Sequence, residues 1–368
     1  MRPRDLSEHV EYRAGRGVEE VARELGRDPE EFVKLASNEN MFGPSPAAVD
    51  AVEASAPEIH HYPTADHGDL TAAIADRWDV SPAQVWLANG GDGALDYLSR
   101  ATLDQGDAVL VPTPGFAYYG MSARFHHGAV AEYPVTEADG FALAAETVLD
   151  AYDGERIVYL TSPHNPTGGR FTLADVERVA DETAEETLVV VDEAYAEFTD
   201  TPSAVSLIRG DAPTDATGDG PRDDVAVIRT FSKAYGLAGL RLGYAVVPEA
   251  WADAYARVNT PFAASVLACR AGLAALDDGA HVERTVDTAR WSRSYMADRL
   301  DAPSYESHAN FLLVEVGDAD AVAAALLERG VIVRDCTSFG LPTCVRITCG
   351  TESETTRAVE ALNEVLAQ

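Results

Sequence analysis

The sequence predicts an α/β fold in which a large domain with a mostly parallel sheet is followed by a smaller α+β domain. Apolar segments of strand length recur through the middle of the chain, and most are apolar on both faces, which is typical of a buried parallel sheet. Segment 172–186 has the pattern of an amphipathic helix that begins at Thr172, a good N-cap. This alternation indicates βαβ units with helices on both sides of the sheet. The predicted strands are 108–112, 156–163, 187–194, 225–232 and 241–247.

The pattern changes after about residue 260, where a long helical region, 263–300, begins. We predict an N-terminal arm (1–40) that packs near the second domain, a large domain (41–260) and a small domain (261–368). Segment 210–224, rich in Asp, Gly and Pro, is expected to be an exposed acidic loop. A ligand should lie in the crevice between the domains, at the C-terminal ends of the parallel strands. The small domain is predicted to contain strands 310–316, 331–335 and 344–350 and helices 318–329 and 353–367.

Acidic side chains dominate the composition, with 61 Asp and Glu against 28 Lys and Arg and a formal net charge of −33. Phosphate-rich partners need a positive surface, so this charge argues against nucleic acid and anionic membranes as partners. The acidic residues are spread along the chain and 46% of the residues are apolar, which excludes disorder as the explanation. An ordered, acidic and lysine-poor chain is typical of a salt-loving organism, where ions screen the self-repulsion. An ordinary acidic protein is the alternative.

Neither the apolar runs nor the N-terminal segment indicates a membrane or secretory protein. No apolar run approaches the length that crosses a bilayer, and segment 1–17 lacks the apolar core of a signal peptide. We therefore expect a cytoplasmic location.

Cysteine and histidine spacing does not indicate a metal site. His60, His61 and His67 are close in sequence, but no matching carboxylate spacing accompanies them, so we predict a surface loop and no metal. The cysteines form no C-x-x-C pair and are expected to be small buried or incidental residues. They are Cys269, Cys336, Cys344 and Cys349.

The chain contains only two lysines, and Lys233 directly follows a predicted strand. A strand end that faces a crevice suits a lysine nucleophile, because amines form Schiff bases with carbonyl groups and burial favours the free amine. Thr230 and Ser232 offer hydroxyl groups and Arg241 offers an anion site. These residue types together indicate a phosphorylated carbonyl ligand. A surface lysine is the alternative, which the near absence of lysine elsewhere disfavours.

Three further segments offer groups that such a ligand needs. Segment 85–98 passes from a strand through Gly90 and Gly91 into a helix, and N–H groups at a helix N-terminus bind phosphate, although such turns are common. Asp192 ends a buried apolar strand and needs a cationic partner, such as a protonated pyridine nitrogen. Asn165 follows another strand, between two prolines, where a simple turn is the alternative.

In chain order, four short motifs resemble those of the fold type I, pyridoxal-phosphate-dependent aminotransferases of the class I/II group. The resemblance spans roughly residues 30–350. The segments "LASNENMFGPSP" (35–46) and "HYPTADHGDLTAAI" (61–74) are similar, more narrowly, to the histidinol-phosphate aminotransferases. The four motifs are N-P-T-G (165–168), D-E-A-Y (192–195), S-K (232–233) and R-x-G (241–243).

The resemblance implies that pyridoxal 5′-phosphate is the cofactor and assigns residues to each of its parts. Lys233 would form the Schiff base and move the substrate proton, and Asp192 would pair with the pyridine nitrogen. Phe116, where the family usually has Tyr, would stack on the ring, while Asn165 and Tyr195 would hydrogen-bond its hydroxyl group. The implied phosphate-binding residues are Gly91, Asp92, Thr230, Ser232 and Arg241.

The resemblance also implies a homodimer, because Tyr62 would reach the cofactor phosphate of the neighbouring subunit. Arg346 matches the arginine that takes the glutamate carboxylate or the phosphate of histidinol phosphate. Tyr12, Asn40 and Arg334 are further substrate-side candidates.

The implied reaction is amino transfer between histidinol phosphate and 2-oxoglutarate in histidine biosynthesis, by a ping-pong mechanism. An aromatic amino acid aminotransferase or a threonine-phosphate decarboxylase would use the same lysine and aspartate and is the nearest alternative. A non-catalytic protein of this fold is disfavoured because Lys233, Asp192, Asn165 and Arg241 are all present. A Rossmann-type dehydrogenase is disfavoured because no G-x-G-x-x-G motif follows an early strand.

We predict that the protein loses secondary structure on dialysis into low salt, because its carboxylates then repel one another without screening. Far-UV circular dichroism before and after dialysis measures the loss. An unchanged spectrum in low salt would contradict the halophilic interpretation.

Overall fold

The computed structural model describes residues 6, 7, 9, 15, 17–64, 67–212 and 220–368, and these ranges contain two β-sheets. Tyr12 and segment 213–219 of the predicted acidic loop lie outside them. The strands are β1 (Val33–Leu35), β2 (Val85–Asn89), β3 (Ala108–Thr113), β4 (Ala129–Pro134), β5 (Ile157–Thr161), β6 (Leu188–Asp192), β7 (Val225–Thr230), β8 (Leu242–Val246), β9 (Phe311–Glu315), β10 (Val331–Asp335) and β11 (Cys344–Thr348).

Helices surround both sheets, and in the described ranges none is long and apolar enough to cross a bilayer. The α-helices are α1 (Val18–Leu25), α2 (Pro46–Ser55), α3 (Gly68–Trp78), α4 (Gly90–Thr102), α5 (Tyr118–Phe125), α6 (Ala145–Ala151), α7 (Leu173–Glu182), α8 (Val205–Arg209), α9 (Tyr255–Val258), α10 (Val266–Asp277), α11 (Gly279–Arg299), α12 (Ala319–Glu328) and α13 (Glu352–Leu366). Short 3₁₀ helices span Pro29–Glu31, Ala56–Glu58, Pro82–Gln84, Glu137–Asp139, Ala196–Phe198, Ala238–Leu240, Glu249–Ala254 and Thr337–Phe339.

The larger sheet has seven strands in the order β2-β8-β7-β6-β5-β3-β4. Strand β8 runs antiparallel to both of its neighbours, and the other neighbouring pairs are parallel. Every residue of β5, β6 and β7 is buried, as expected for central strands covered on both faces. The α/β class and the mostly parallel sheet are therefore confirmed.

Side-chain alternation along the central strands builds a core on each face of this sheet. Val158, Val189 and Val227 belong to one apolar cluster, whereas Tyr159 and Val190 belong to the cluster on the other face. Each strand thus supplies both cores, because successive residues point to opposite faces. Edge strand β4 has mostly half-buried and exposed residues, and its weak apolar signal kept it out of the predicted set.

Helix α7 begins as the sequence predicted. The Thr172 hydroxyl accepts a hydrogen bond from the backbone N–H of Asp175 at 3.1 Å, and the Asp175 carboxylate accepts one from the backbone N–H of Thr172 at 2.9 Å. This reciprocal capping box satisfies two N–H groups that have no partner within the helix.

The second sheet has four strands in the order β1-β10-β11-β9, and it combines the two ends of the chain. Strand β1 pairs in parallel with β10, so the segment after α1 completes the sheet of the C-terminal region. Helix α10 packs against α2 and α3 beside the larger sheet. The three domain boundaries stay predictions.

The predicted surface loop for the three histidines is wrong at His67. His60 and His61 are exposed, but His67 is buried immediately before α3, with its Nδ1 3.2 Å from the Cys269 Sγ. The cause is α10, which carries Cys269 over the start of α3. The cysteine prediction is closer, because the other three cysteines are buried and all four are free thiols.

A buried ion triad secures the segment that follows β6. The Arg229 guanidinium contacts the carboxylates of Glu193 and Glu197 at 2.6 Å each and stacks over the Trp78 ring at 4.7 Å. Burial opposes its charge, but Glu197 and Glu193 hold the pKa of Arg229 well above its ordinary value. Because the two glutamates flank Tyr195, the triad fixes the backbone on both sides of that residue.

We predict that Arg229→Met lowers the free energy of unfolding by about 3–5 kcal/mol, because two buried carboxylates lose their counter-charge. Denaturant unfolding in high salt measures this. The matched control is Arg178→Met, which removes an exposed ion pair with Glu182 and should leave the midpoint unchanged. Equal midpoints for the two variants would show that the triad does not stabilise the fold.

Candidate active site

A cavity of about 960 Å³ lies between the two sheets, and the ends of three neighbouring parallel strands open into it. Strands β5, β6 and β7 all finish at this edge, as predicted for ligand binding in an open α/β sheet. Most of the predicted site residues line it. They are Gly91, Asp92, Phe116, Asn165, Asp192, Tyr195, Thr230, Ser232, Lys233, Arg241, Arg334 and Arg346.

Lys233 lies in the turn after β7, with its amine inside the cavity. The amine donates a hydrogen bond to the Ser37 carbonyl at 3.3 Å and lies 5.6 Å from the centre of the Tyr195 ring. Asn40 does not line the cavity. Its amide donates to the carbonyl of Ala234 at 2.8 Å and to the hydroxyl of Thr285 at 3.1 Å, so it braces the backbone beside Lys233. A substrate role for Asn40 stays a prediction.

The carboxylate of Asp192 is buried at the end of β6 and is held from two sides. The Ala194 N–H donates to Oδ1 at 3.0 Å, and the Tyr119 hydroxyl donates to Oδ2 at 2.6 Å. Thr161 lies 2.7 Å from the Tyr119 oxygen and can donate to it in turn. Burial raises the pKa of Asp192, while the bonds from Tyr119 and Ala194 oppose the rise. The carboxylate is therefore positioned towards the cavity by a short chain of hydroxyl groups.

Tyr119 is a site residue that the sequence analysis missed. It packs edge-on against Phe116, with ring centres 5.5 Å apart, and thereby connects the predicted stacking residue to Asp192. Burial raises its pKa well above the ordinary value, so its hydroxyl keeps its proton and stays a donor. The available signal was the aromatic-rich segment "PTPGFAYYG" (112–120), in which Tyr119 stands three residues after Phe116.

The N-terminus of α4 forms one side of an anion site. No side chain of Asn89 caps this helix, and Gly91 and Asp92 in its first turn line the cavity. Gly90 has φ of 74°, and a Cβ atom there would lie 2.5 Å from Nη2 of Arg241, so glycine lets the guanidinium approach. Arg241 is held by the Asp92 carboxylate at 2.9 Å.

The remaining donors of this anion site come from the end of β7. The Thr230 and Ser232 hydroxyl groups lie 3.0 Å apart at the same edge of the cavity. Helix N–H groups, two hydroxyls and one guanidinium are the donor set that phosphate requires. The Asp92 carboxylate itself pairs with Arg241, and desolvation raises its pKa against the effect of Arg241 and Lys233.

The opposite wall of the cavity is cationic and comes from the smaller sheet. Arg334 and Arg346 stand opposite each other on β10 and β11. Arg346 is buried and donates to the Asn165 side-chain oxygen and, at 3.0 Å, to the Ala36 carbonyl. Arg334 donates to the Ser338 hydroxyl at 3.0 Å. Both arginines line the cavity that Lys233 also lines.

Asn38 is a second residue that the sequence analysis missed, although it begins the quoted N-E-N motif. Its amide donates to the Tyr195 hydroxyl at 3.0 Å, and its backbone N–H donates to Thr348 of β11 at 2.9 Å. Asn38 therefore connects Tyr195, in the segment that follows β6 of the larger sheet, to the smaller sheet.

Tyr62 does not line this cavity. Its side chain is 82% exposed and stacks on Phe262, which is 44% exposed, with ring centres 4.7 Å apart. The pair forms an aromatic patch on the surface. Tyr12, a further predicted site residue, lies outside the described residues.

Comparison with known proteins identifies the family of this chain. The profile of the family "Aminotransferase class I and II" matches residues 30–362. The chain belongs to the class I and II aminotransferases. A curated histidinol-phosphate aminotransferase from Halobacterium salinarum is 70% identical over 366 residues, which cover 99% of each chain. One from Haloarcula marismortui is 67% identical over 368 residues, which cover 100% of this chain and 99% of the relative.

The solved structure of histidinol-phosphate aminotransferase from Sinorhizobium meliloti, in complex with pyridoxal-5′-phosphate, has a TM-score of 0.86 and 28% sequence identity. The match covers 100% of this chain and 98% of the other. The relatives at 54–70% identity come from halophilic archaea, the kind of source that the acidic composition predicted.

Pyridoxal 5′-phosphate is the cofactor of this aminotransferase family, and the residues of the cavity fit it. The anion site at α4 matches its phosphate, and the cradle is narrow enough that a Cβ at Gly90 would meet Arg241. Asp192 would offer a buried carboxylate to a pyridinium nitrogen, and Lys233 would offer an amine to the aldehyde. The individual cofactor contacts assigned to the site residues all stay predictions.

We predict that Tyr119→Phe weakens binding of pyridoxal phosphate about tenfold at neutral pH, since one hydrogen bond to a charged group is lost. Asp192 must be ionised to hold a pyridinium ion. Without the Tyr119 hydroxyl its pKa rises further, so the acidic limb of cofactor binding moves to higher pH. The absorbance of bound cofactor, titrated across pH, measures both effects.

The control for this prediction is Tyr133→Phe, which removes a buried hydroxyl that donates to the Tyr159 carbonyl at 2.9 Å. Its cofactor affinity and pH profile should match those of the unmodified protein. If both variants shift the profile equally, the effect is general loosening of the core and not a role of Tyr119 at Asp192.

Proposed function

We propose that this chain transfers an amino group between L-histidinol phosphate and 2-oxoglutarate, giving imidazole acetol phosphate and glutamate, as a step of histidine biosynthesis. The observation that carries the proposal is the 70% identity, over 99% of the chain, to curated histidinol-phosphate aminotransferases. The cavity supports it, because a lysine, a buried carboxylate and two arginines face one another there.

The chemistry divides between the cofactor and the chain. Bound pyridoxal phosphate supplies an aldehyde that captures the substrate amine and a ring that accepts the electron pair of the broken Cα–H bond. The Lys233 amine would take the proton from the substrate Cα and deliver it to the cofactor carbon that carried the aldehyde oxygen. Asp192, held by Tyr119 and Ala194, keeps a positive charge on the ring nitrogen, which makes the ring a stronger acceptor of electrons.

The cationic wall explains how one cavity serves two different substrates. Histidinol phosphate carries a phosphate group, and glutamate carries a second carboxylate. A guanidinium forms paired hydrogen bonds with either group, so Arg346 or Arg334 can bind both. In a ping-pong reaction the first product leaves before the second substrate enters, so the two anions never compete for the same arginine.

The test follows the visible spectrum of the cofactor-loaded protein in high salt while single substrates are added. Histidinol phosphate alone should convert the cofactor to its amino form, and 2-oxoglutarate should reverse the change. Lys233→Ala should lose the absorbance of the lysine-bound cofactor and the reaction. A loaded protein that ignores histidinol phosphate but responds to phenylalanine, or releases CO₂ from threonine phosphate, would replace the proposed substrate with one of the alternatives.

We infer further that the protein is a homodimer with shared active sites, and a cytoplasmic location stays the expectation from its sequence. Tyr62 and Phe262 support the dimer, since two stacked aromatic rings at 82% and 44% exposure suit a subunit interface. In that arrangement the Tyr62 hydroxyl contributes to the cofactor phosphate site of the second subunit.

We predict that the protein sediments as a dimer in high salt. We also predict that two variants, each defective in a different residue of the shared site, restore activity when they are mixed. Tyr62→Phe should bind the cofactor about tenfold more weakly, for the loss of one hydrogen bond to a charged phosphate. Mixed with Lys233→Ala, it should regain activity, because a hybrid dimer contains one site with both residues intact. A monomer, or hybrids without regained activity, would contradict the shared site.

A further inference from the structure

Both lysines of the chain line the same cavity. Lys233 follows β7 of the larger sheet, and Lys34 is the middle residue of β1 in the smaller sheet. An ammonium group on a flexible stem can exchange one partner for another, whereas a guanidinium favours a fixed planar contact. Because arginine supplies nearly all other cationic side chains, a lysine at position 34 favours a contact that changes during the reaction.

Strand register places Lys34 on the same sheet face as the two substrate-side arginines. Lys34 stands beside Ile332 of β10, and Arg334 lies two residues further along that strand, so their side chains share a face. Arg346 of β11 is directly opposite Arg334. Three neighbouring strands therefore present three cations to the cavity, while Leu35 packs into the apolar cluster on the other face.

Lys34 is held by Glu39. Its Nζ lies 2.8 Å from one carboxylate oxygen of Glu39 and 3.1 Å from the other. The backbone on both sides of Glu39 is fixed, because Asn38 is bonded to Tyr195 and Asn40 to Ala234. The side chains of the pair are 23% and 49% exposed, and an ion pair with this exposure contributes little stability. A ligand with a higher charge can therefore displace Glu39.

The two substrates differ in the charge that they bring to the cationic wall of the cavity. Arg241, the guanidinium of the anion site at α4, already pairs with Asp92. A phosphate monoester carries a charge of about −1.5 to −2 near neutral pH, whereas a distal carboxylate carries one negative charge. The guanidinium groups of Arg334 and Arg346 suffice for a carboxylate, and a doubly charged phosphate has room for a third cation.

We propose that Lys34 is a specificity-determining residue that leaves Glu39 to bind the phosphate group of the amino-donor substrate. The distal carboxylate of 2-oxoglutarate is bound without it, and the Lys34–Glu39 ion pair then stays closed. Glu39 thus holds the lysine within the cavity between phosphate-bearing substrates. The proposal rests on the proposed function, because it assumes that one substrate carries a phosphate group.

Steady-state kinetics of the cofactor-loaded enzyme, at one high salt concentration, test the proposal. Lys34→Met should raise KM for histidinol phosphate about tenfold, for the loss of one charge-assisted contact, and leave KM for 2-oxoglutarate unchanged. Lys34→Arg should restore only part of the difference, because its guanidinium favours a fixed contact with Glu39. Glu39→Gln should lower KM for histidinol phosphate, and this effect should vanish in the Lys34→Met background, as a double-mutant cycle requires for coupled residues.

Equal KM values for Lys34→Met and the unmodified enzyme would overturn the proposal, as would an equal rise for both substrates. Titration of inorganic phosphate into the loaded enzyme by calorimetry provides an independent readout. The cofactor then occupies the anion site at α4, so the added phosphate must bind elsewhere. Weaker phosphate binding in Lys34→Met supports the role of Lys34, and unchanged binding contradicts it. An unmodified loaded enzyme that ignores histidinol phosphate would instead sink the proposed function, which the phosphate titration distinguishes.

Discussion

Strand β6 ends at Asp192 and is followed directly by Glu193, and both carboxylates are buried. A buried carboxylate is costly unless it is paired and hydrogen-bonded, so the fold must provide each one with a partner. Because successive side chains of an extended chain point to opposite sides, the two carboxylates cannot share one partner. Glu193 meets Arg229 inside the larger domain, and Asp192 faces the cavity. This division organises the active site.

The contacts of Glu193 help to position the segment that follows Asp192. The Arg229 triad holds Glu193 and Glu197, and Tyr195 lies between them with its hydroxyl bonded to Asn38. Asp192 receives its hydrogen bonds from Tyr119 and Ala194, which orient it without neutralising its charge. Burial raises the pKa of both acids, so each depends on its partner to stay ionised. Under the proposed function, the pyridinium ring of the cofactor would be the cationic partner of Asp192.

Much of the larger domain and of the cofactor side of the site could be predicted from the sequence. Central strands have long apolar runs, and the polar residues that end them, such as Asp192 and Lys233, are conspicuous for that reason. Strand β1 was missed because three residues give too short a pattern, and its pairing with β10 spans nearly the whole chain. Asn38 and Tyr119 were missed because their roles arise from contacts with distant residues. His67 was misjudged because only packing of α10 over α3 buries it.

The acidic surface and the cationic cavity act over different distances. With a net charge of −33, the protein repels an anionic substrate at low ionic strength. At molar salt the screening length falls to about 3 Å, so the surface repulsion no longer reaches an approaching substrate. The same salt weakens exposed attractive pairs, but a buried guanidinium such as Arg346, at 5% exposure, is screened far less. Partial burial of the cationic wall therefore allows an acid-covered enzyme to bind anions at high salt.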